Sequence, residues 1–221
     1  AQRGDYMTQQ RRITADVAHE LCSPIARMQM ALGVVEQRST PEQATYLQKL
    51  DRELQHMAKL VEEVLAFTKA ETIPERETPE DIDLRELLQN ILAREAPENG
   101  VKIEIGDVKL HSLRNALDRG IGNVVRNAVR YAKDLEITAS STHSRVIIQI
   151  ADRGPGVPEE ALSRLFEPFY RPEAARGRNT GGSGLGLAIT KRCIEACQGS
   201  ITAQNRESGG LVVSIEVPVA I

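Results

Sequence analysis

Apolar residues recur at alternating spacings of four and three along the first third of the chain. Val17, Leu21, Pro24, Met28, Ala31 and Val35 form one such series, and Leu47, Leu50, Leu54, Met57, Val61, Val64 and Thr68 form another. That alternation is the seam of a coiled-coil helix. The first helix is predicted over residues 5–38. The second starts at Thr40-Pro41-Glu42, where proline suits the first helical position. Two such helices joined by a short turn make an antiparallel hairpin. A single hairpin leaves its seam uncovered, so a homodimeric four-helix bundle is expected.

Between Glu71 and Asp83 the pattern breaks. Six acidic residues (Glu71, Glu75, Glu77, Glu80, Asp81, Asp83) stand against one arginine, and Pro74 and Pro79 interrupt any helix. This reads as a hinge linker with solvated charges, placed at 74–82 between a hairpin domain, 1–73, and a second domain, 83–221. In the second domain a helix is expected at 83–95, a strand at Val101–Ile105 and a long helix from about Leu113 to Lys133. Strands at Leu135–Ser141 and Arg145–Ala151 follow, turning at Thr142-His143-Ser144. Short helices at about 158–165 and 185–198 precede two last strands, Ile201–Asn205 and Leu211–Val217. Helices and antiparallel strands mixed this way give an α+β class, with the second domain a two-layer α/β sandwich.

Composition narrows the options. Aromatic residues are 3% with no Trp, so the cores must be aliphatic. A net charge of −3 argues against a broad nucleic-acid footprint. Cys22, Cys193 and Cys197 make an odd count, which fits a reducing compartment rather than a disulfide framework. No apolar run is long enough to span a membrane. The chain begins with Ala, which is read as the start of an excised fragment.

The first helix carries a displayed imidazole. At about 100° per residue, His19 falls roughly 200° from Val17, on the face away from the seam. Ser23 shares that outward face, Glu20 adjoins the ring, and Pro24 follows one turn on. Ser23 where a second His would stand excludes the zinc-protease spacing. The remaining histidines lack such surroundings: His56 faces solvent, His111 lies in a loop and His143 in a turn.

Four further constellations lie in the second domain. Asn123, Asn127, Arg130 and Tyr131 share roughly one helix face; amide oxygens suit Mg²⁺, Arg suits phosphate and Tyr suits a purine. Asp152-Arg-Gly154-Pro-Gly156 follows a strand, placing a carboxylate and glycines where an adenine amino group can be read. Phe166-Glu-Pro168-Phe169-Tyr170-Arg171 is an aromatic pair after a short helix. Gly181-Gly182-Ser183-Gly184-Leu185-Gly186-Leu187 runs into a helix N-terminus, where unpaired N–H groups attract phosphate. The polar stretch before it, with Arg171, Arg176 and Arg178, reads as a lid.

Taken in order, these segments resemble the cytoplasmic core of bacterial two-component sensor histidine kinases. His19-Glu20-Leu21-Cys22-Ser23-Pro24 is similar to the H box, and Asn123–Tyr131 to the N box. Asp152–Gly156 resembles the G1 box, Phe166–Arg171 the F box and Gly182–Leu187 the G2 box. The resemblance implies a dimerisation and phosphotransfer hairpin followed by a Bergerat (GHKL-type) ATP-binding domain. It implies that His19 attacks the γ-phosphate of ATP, with Glu20 as hydrogen-bond or proton acceptor. Asn123 and Asn127 would hold Mg²⁺, Arg130 the phosphates, Tyr131 and Asp152 the adenine, and Gly154, Gly156, Gly182, Gly184, Leu185 and Gly186 the loops. The phosphoryl group would pass to an aspartate of a response regulator receiver domain. By family habit a membrane-anchored part precedes Ala1, making this the cytoplasmic domain of an inner-membrane protein. Cys22 stands where Arg or Lys is usual, Ser23 where Thr or Asn is, and Arg130 where Lys is commoner. Nucleophile, acidic neighbour and amides all remain, so an active kinase is expected, with phosphatase activity left open by Ser23. The rivals are an ATPase of the gyrase, chaperone or mismatch-repair kind and a non-catalytic scaffold. The displayed His19 speaks against the first, and the intact Asn, Asp and Gly sets against the second.

Overall fold

A computed structural model describes residues 21, 23–37, 39–70, 77–97, 100–132, 134–172 and 183–221. The chain divides into two compact units, one up to Lys69 and one from Ala70 onwards, the latter taken without residues 181–183.

In the first unit, helix α1 occupies residues 23–36 and helix α2 Pro41–Ala70. The turn between them is built as its residues dictate. Thr40 and Gln43 cap each other: Gln43 Oε1 accepts the Thr40 N–H at 3.0 Å, and Thr40 Oγ1 accepts the Gln43 N–H at 3.4 Å. Pro41 then takes the first helical position. Ile25, which lies off the predicted seam, is buried at 3% exposure, whereas the seam residues Leu21, Met28 and Val35 are exposed. Met30, Val34, Tyr46, Leu50 and Met57 are exposed as well.

The second unit contains β1 (Glu80–Asp83), α3 (Leu84–Glu95), β2 (Val101–Ile105), β3 (Lys109–Ser112), α4 (Arg114–Tyr131), β4 (Leu135–Ser141) and β5 (Arg145–Asp152). Then come α5 (Glu159–Leu162), α6 (Gly186–Ala196), β6 (Ser200–Asn205) and β7 (Leu211–Pro218). Five strands form one sheet in the order β2-β4-β5-β7-β6, with β2 and β4 parallel and the other pairs antiparallel. The parallel pair needs a crossover, which α4 supplies. Leu211, Val213, Ile215 and Val217 alternate into the core along β7. They meet a helical layer contributing Leu88, Ile91, Leu117, Ile121 and Ile194, so the core is aliphatic as composition requires.

Two short strands depart from the sequence reading. β1 pairs antiparallel with β3 in register Asp81↔His111, so the end of the expected linker is structured and His111 stands in a strand, not a loop. The acids there are not merely solvated. Asp81 Oδ1 lies 2.8 Å from His111 Nδ1, Glu80 pairs with Arg114, and Glu77 accepts the Asn115 N–H at 2.6 Å. Asp83 caps α3 by accepting the N–H groups of Arg85 and Glu86 at 2.9 and 3.1 Å. A charge run lacks hydrophobic period, so its pairing partner, far along the chain, is invisible locally.

Candidate nucleotide site

Helix α4 carries the first half of the site. Its apolar stripe (Ala116, Leu117, Ile121, Val124, Val125, Ala128) is buried, leaving Asn123, Asn127, Arg130 and Tyr131 half-buried outside it. Polar ties bind α4 to the first turn of α6. The buried Thr190 hydroxyl lies 3.1 Å from the carbonyls of both Gly120 and Gly186. Asn123 Nδ2 donates to the same Gly186 carbonyl at 3.3 Å.

The other end of the Asn123 amide is engaged too. Arg126 Nη1 donates to Asn123 Oδ1 at 3.0 Å, and Glu95 on α3 grips Arg126 through two bonds of 2.8 Å. The Glu95 side chain is only 8% exposed. Its hydrogen bond from Arg126 holds its carboxyl below the usual carboxylate range, against the opposing effect of burial and with Arg94 adding in the same direction. Asn127 differs: among the described residues no hydrogen bond engages its side chain.

Asp152 ends β5 at 7% exposure. Its Oδ1 accepts two backbone N–H groups, from Gly154 at 2.8 Å and Leu211 at 3.2 Å. Its Oδ2 accepts none among the described residues. Gly154 then runs against the end of α4, where a Cβ would stand 3.1 Å from the Tyr131 carbonyl oxygen. This contact brings the Asn123–Tyr131 and Asp152–Gly156 segments together. Gly156 adopts φ +68, and the loop beyond it is pinned by a residue the sequence reading missed. Asn205, at the end of β6, accepts the Val157 N–H at 2.9 Å and donates to the Val157 carbonyl at 2.7 Å. It also reaches Glu159 at 3.2 Å. The side chain imitates one rung of a β-ladder, and an Asn beside Arg-Glu-Ser-Gly-Gly reads locally as turn chemistry only.

In the aromatic segment Phe166 is half-buried while Phe169 is 61% exposed and left-handed, with φ +63. Gly184 has φ +78, and a Cβ there would come within 2.8 Å of the Phe169 and Tyr170 backbone, so only glycine fits. Leu185 is fully buried, so its side chain belongs to the core, and its carbonyl accepts the Ile189 N–H at 2.8 Å. Gly186 opens α6 with nothing within 4 Å of where its Cβ would be. His19, Glu20 and Gly182 lie outside the described residues. Ser23 is exposed on α1 and accepts a hydrogen bond from Arg27 Nη1 at 2.7 Å.

Two family models match the chain: the His Kinase A (phospho-acceptor) domain over residues 9–73, and the Histidine kinase-, DNA gyrase B-, and HSP90-like ATPase over residues 112–221. The sensor histidine kinase CpxA of Escherichia coli (strain K12) is 31% identical across 96% of this chain. The chain belongs to the sensor histidine kinases. Another member, the sensor protein kinase WalK of Staphylococcus epidermidis, is 28% identical across 96% of this chain. The crystal structure of full-length ShkA in complex with AMPPNP superposes on this histidine kinase with a TM-score of 0.71 at 27% identity, covering 94% of this chain and 45% of that one. The chain spans about half the length or less of these curated relatives: 48% of CpxA and 37% of WalK.

The residues present fit a magnesium nucleotide. Mg²⁺ takes one or two hard oxygen ligands from protein and the rest from phosphates and water, so an unengaged amide such as Asn127 suffices. Among the described residues no group of three or more His, Cys, Asp or Glu competes as a metal site.

Proposed function

We propose that this chain transfers the γ-phosphoryl group of ATP to His19, and from there to an aspartate of a response regulator receiver domain. The observation that carries the nucleotide half is Asp152: a buried carboxylate with one oxygen fixed by two backbone N–H groups and the other unspent, beside the α4 amides. That geometry presents a fixed acceptor to an exocyclic amine such as that of adenine. Tyr131 packs by the base, Arg130 neutralises phosphate, and the N-terminus of α6, at Gly186, offers backbone N–H to phosphate oxygens. Asn127 and Asn123 are the metal ligands in this reading, with the Asn123 oxygen requiring release from Arg126. A bound Mg²⁺ offsets phosphate charge and aligns the γ-phosphoryl group for in-line displacement.

Chemistry at His19 is simple to balance. A neutral ring nitrogen forms the N–P bond, the bond from Pγ to the bridging oxygen breaks, and ADP leaves. Glu20 accepts the hydrogen bond or the proton of the other ring nitrogen. An imidazole of pKa near 6.5 is roughly three-quarters neutral at pH 7, so the nucleophile is already in place. Residues 1–73 serve as the dimerisation and phosphotransfer hairpin and 83–221 as the ATP-binding domain, with the linker at 74–82 running into β1 at its end. The exposed apolar positions on α1 and α2 support a homodimer. Ser23 accepts from Arg27 and keeps its own proton free to orient a water for dephosphorylating the regulator. Among the described residues no helix is long and apolar enough to cross a membrane.

The test is incubation with γ-labelled ATP and Mg²⁺ followed by mapping of the label. Label at His19 that survives base but not acid, and is lost in His19→Gln while nucleotide binding persists, is the expected result. Label that survives acid, or full labelling of His19→Gln, refutes the reading.

A further inference from the structure

Glu95 lies outside the sequence motifs and Arg126 is a position of the Asn123–Tyr131 segment given no role above, yet both bear directly on Asn123. The amide orientation is settled by its partners: Nδ2 faces the Gly186 carbonyl at 3.3 Å and Oδ1 faces the Arg126 guanidinium at 3.0 Å. Turning the amide over would set donor against donor and acceptor against acceptor. A guanidinium bonded to that oxygen competes with a divalent cation for it, because two cations at bonding distance of one amide oxygen repel each other. Arg126 is itself leashed, since Glu95 takes its Nε and Nη2 at 2.8 Å each and also binds Arg94 at 2.9 Å. The leash starts from a nearly buried carboxylate, whereas the Arg126 side chain is 57% exposed and can swing into water without opening the core.

We propose that Arg126, tethered by Glu95, is a positioning residue that occupies the Asn123 amide oxygen and competes with the divalent cation for it. The inference rests on the reading of Asn123 as an amide of the magnesium-nucleotide site. It makes that amide conditional: Asn127 is open from the outset, and Asn123 joins only when the guanidinium lets go. The competing groups are a guanidinium and a hydrated Mg²⁺.

The experiment measures binding of ATP by calorimetry across a Mg²⁺ series, on the full chain, for the wild type, Arg126→Met, Asn123→Ala and the double variant. Arg126→Met keeps the aliphatic stem and removes the competitor. It should lower the Mg²⁺ concentration for half-maximal binding by about ten- to a hundredfold, the scale of one charge-assisted hydrogen bond. That shift should vanish in the Asn123→Ala background, because the contested oxygen is gone. ATP affinity in EDTA should be the same with and without Arg126→Met. An equal shift in both backgrounds would mean that Arg126 acts as a diffuse positive charge, and overturns the proposal. So does no shift at all, or a changed affinity in EDTA. If Arg126→Met melts early, Glu95→Gln, which loosens the leash, should shift the Mg²⁺ dependence in the same direction; an opposite or absent shift again overturns it. Failure of the wild type to bind ATP at any Mg²⁺ concentration would instead sink the ATP reading itself.

Discussion

Asp152 offers the sharpest separation of scaffold from ligand. Asp152→Asn preserves shape and leaves Oδ1 to accept the Gly154 and Leu211 N–H groups as before. A neutral acceptor weakens those two bonds, at a cost of about 1 kcal/mol in stability. At the other oxygen the change is a reversal: an NH₂ now meets the exocyclic amine of adenine. A hydrogen bond to a charged acceptor, worth about 1.5–3 kcal/mol, is lost, and a donor is left facing a donor. The sum is about 3–4 kcal/mol, or a rise in Kd for ATP of a few hundredfold. Inosine triphosphate carries a keto oxygen where ATP carries the amine, so Asp152→Asn should shift preference toward ITP by about tenfold or more. Asp152→Ala should lose ATP equally but unfold more readily, because the buried Leu211 N–H is stranded at a cost of about 1–3 kcal/mol. Calorimetric titration with both nucleotides, together with melting followed by circular dichroism, reads all three quantities. If Asp152→Asn binds ATP within threefold of wild type, or melts as low as Asp152→Ala, the division between the two oxygens is wrong.

Glu95 gives a pH dependence of known sign. Its folded pKa lies below the ordinary 4.5 because Arg126 stabilises the anion, so its stabilisation is present above 4.5 and is lost as pH falls through the folded value. The melting-temperature gap between wild type and Glu95→Gln should therefore close as pH drops below 4.5; a gap that widens there contradicts the pairing. Burial pushes the Cys193 thiol up to about 11, with Cys197 raised for the same reason. Iodoacetamide at pH 8 should leave both unmodified in the native chain and alkylate them in urea; native labelling, read by peptide mass, would show that the helix opens. The exposed Leu50 and Met57 should sit in the dimer contact, so Leu50→Asp is expected to give monomer by sedimentation at tens of micromolar where wild type gives dimer. Gly154→Ala places a methyl 3.1 Å from the Tyr131 carbonyl and should lower the melting temperature before it touches affinity. Gly186→Ala has open space around it and should weaken ATP binding at unchanged melting temperature; the reverse pattern would reassign both glycines.

Regular elements were legible wherever period and punctuation agreed. The strand Val101–Ile105 and the strand Leu135–Ser141 stand where the sequence put them, since β-branched runs bounded by Gly and Asp leave little alternative. The hairpin turn was legible because Thr40, Pro41 and Gln43 act within one turn of chain. Illegible features depend on distant partners. Neither β1 nor β3 has an alternating pattern, and each becomes a strand only through the other. Ile25 depends on distant partners too: the chain buries it although it lies off the apolar series, and leaves the series members Leu21, Met28 and Val35 exposed. Sequence periodicity detects apolar faces without saying which is covered within the chain and which awaits a second copy.

The nucleotide site shows the same limit of local pattern at the level of single atoms. Asn123 and Asn127 carry the same side chain on one helix face, one turn apart, and no spacing rule ranks them. Hydrogen-bond accounting does: most buried polar groups are paired, and an atom spent on the scaffold is not available to a ligand until that bond breaks. Asn123 is spent at both ends, on Gly186 and Arg126, while Asn127 is unspent among the described residues. Asp152 divides, with Oδ1 spent and Oδ2 unspent among the described residues, and Leu185 gives its side chain to the core. The unspent atoms are thereby held in place by the spent ones. In the proposed site, a nucleotide meeting atoms held in this way adds little ordering cost, which is the condition for binding energy to appear as affinity.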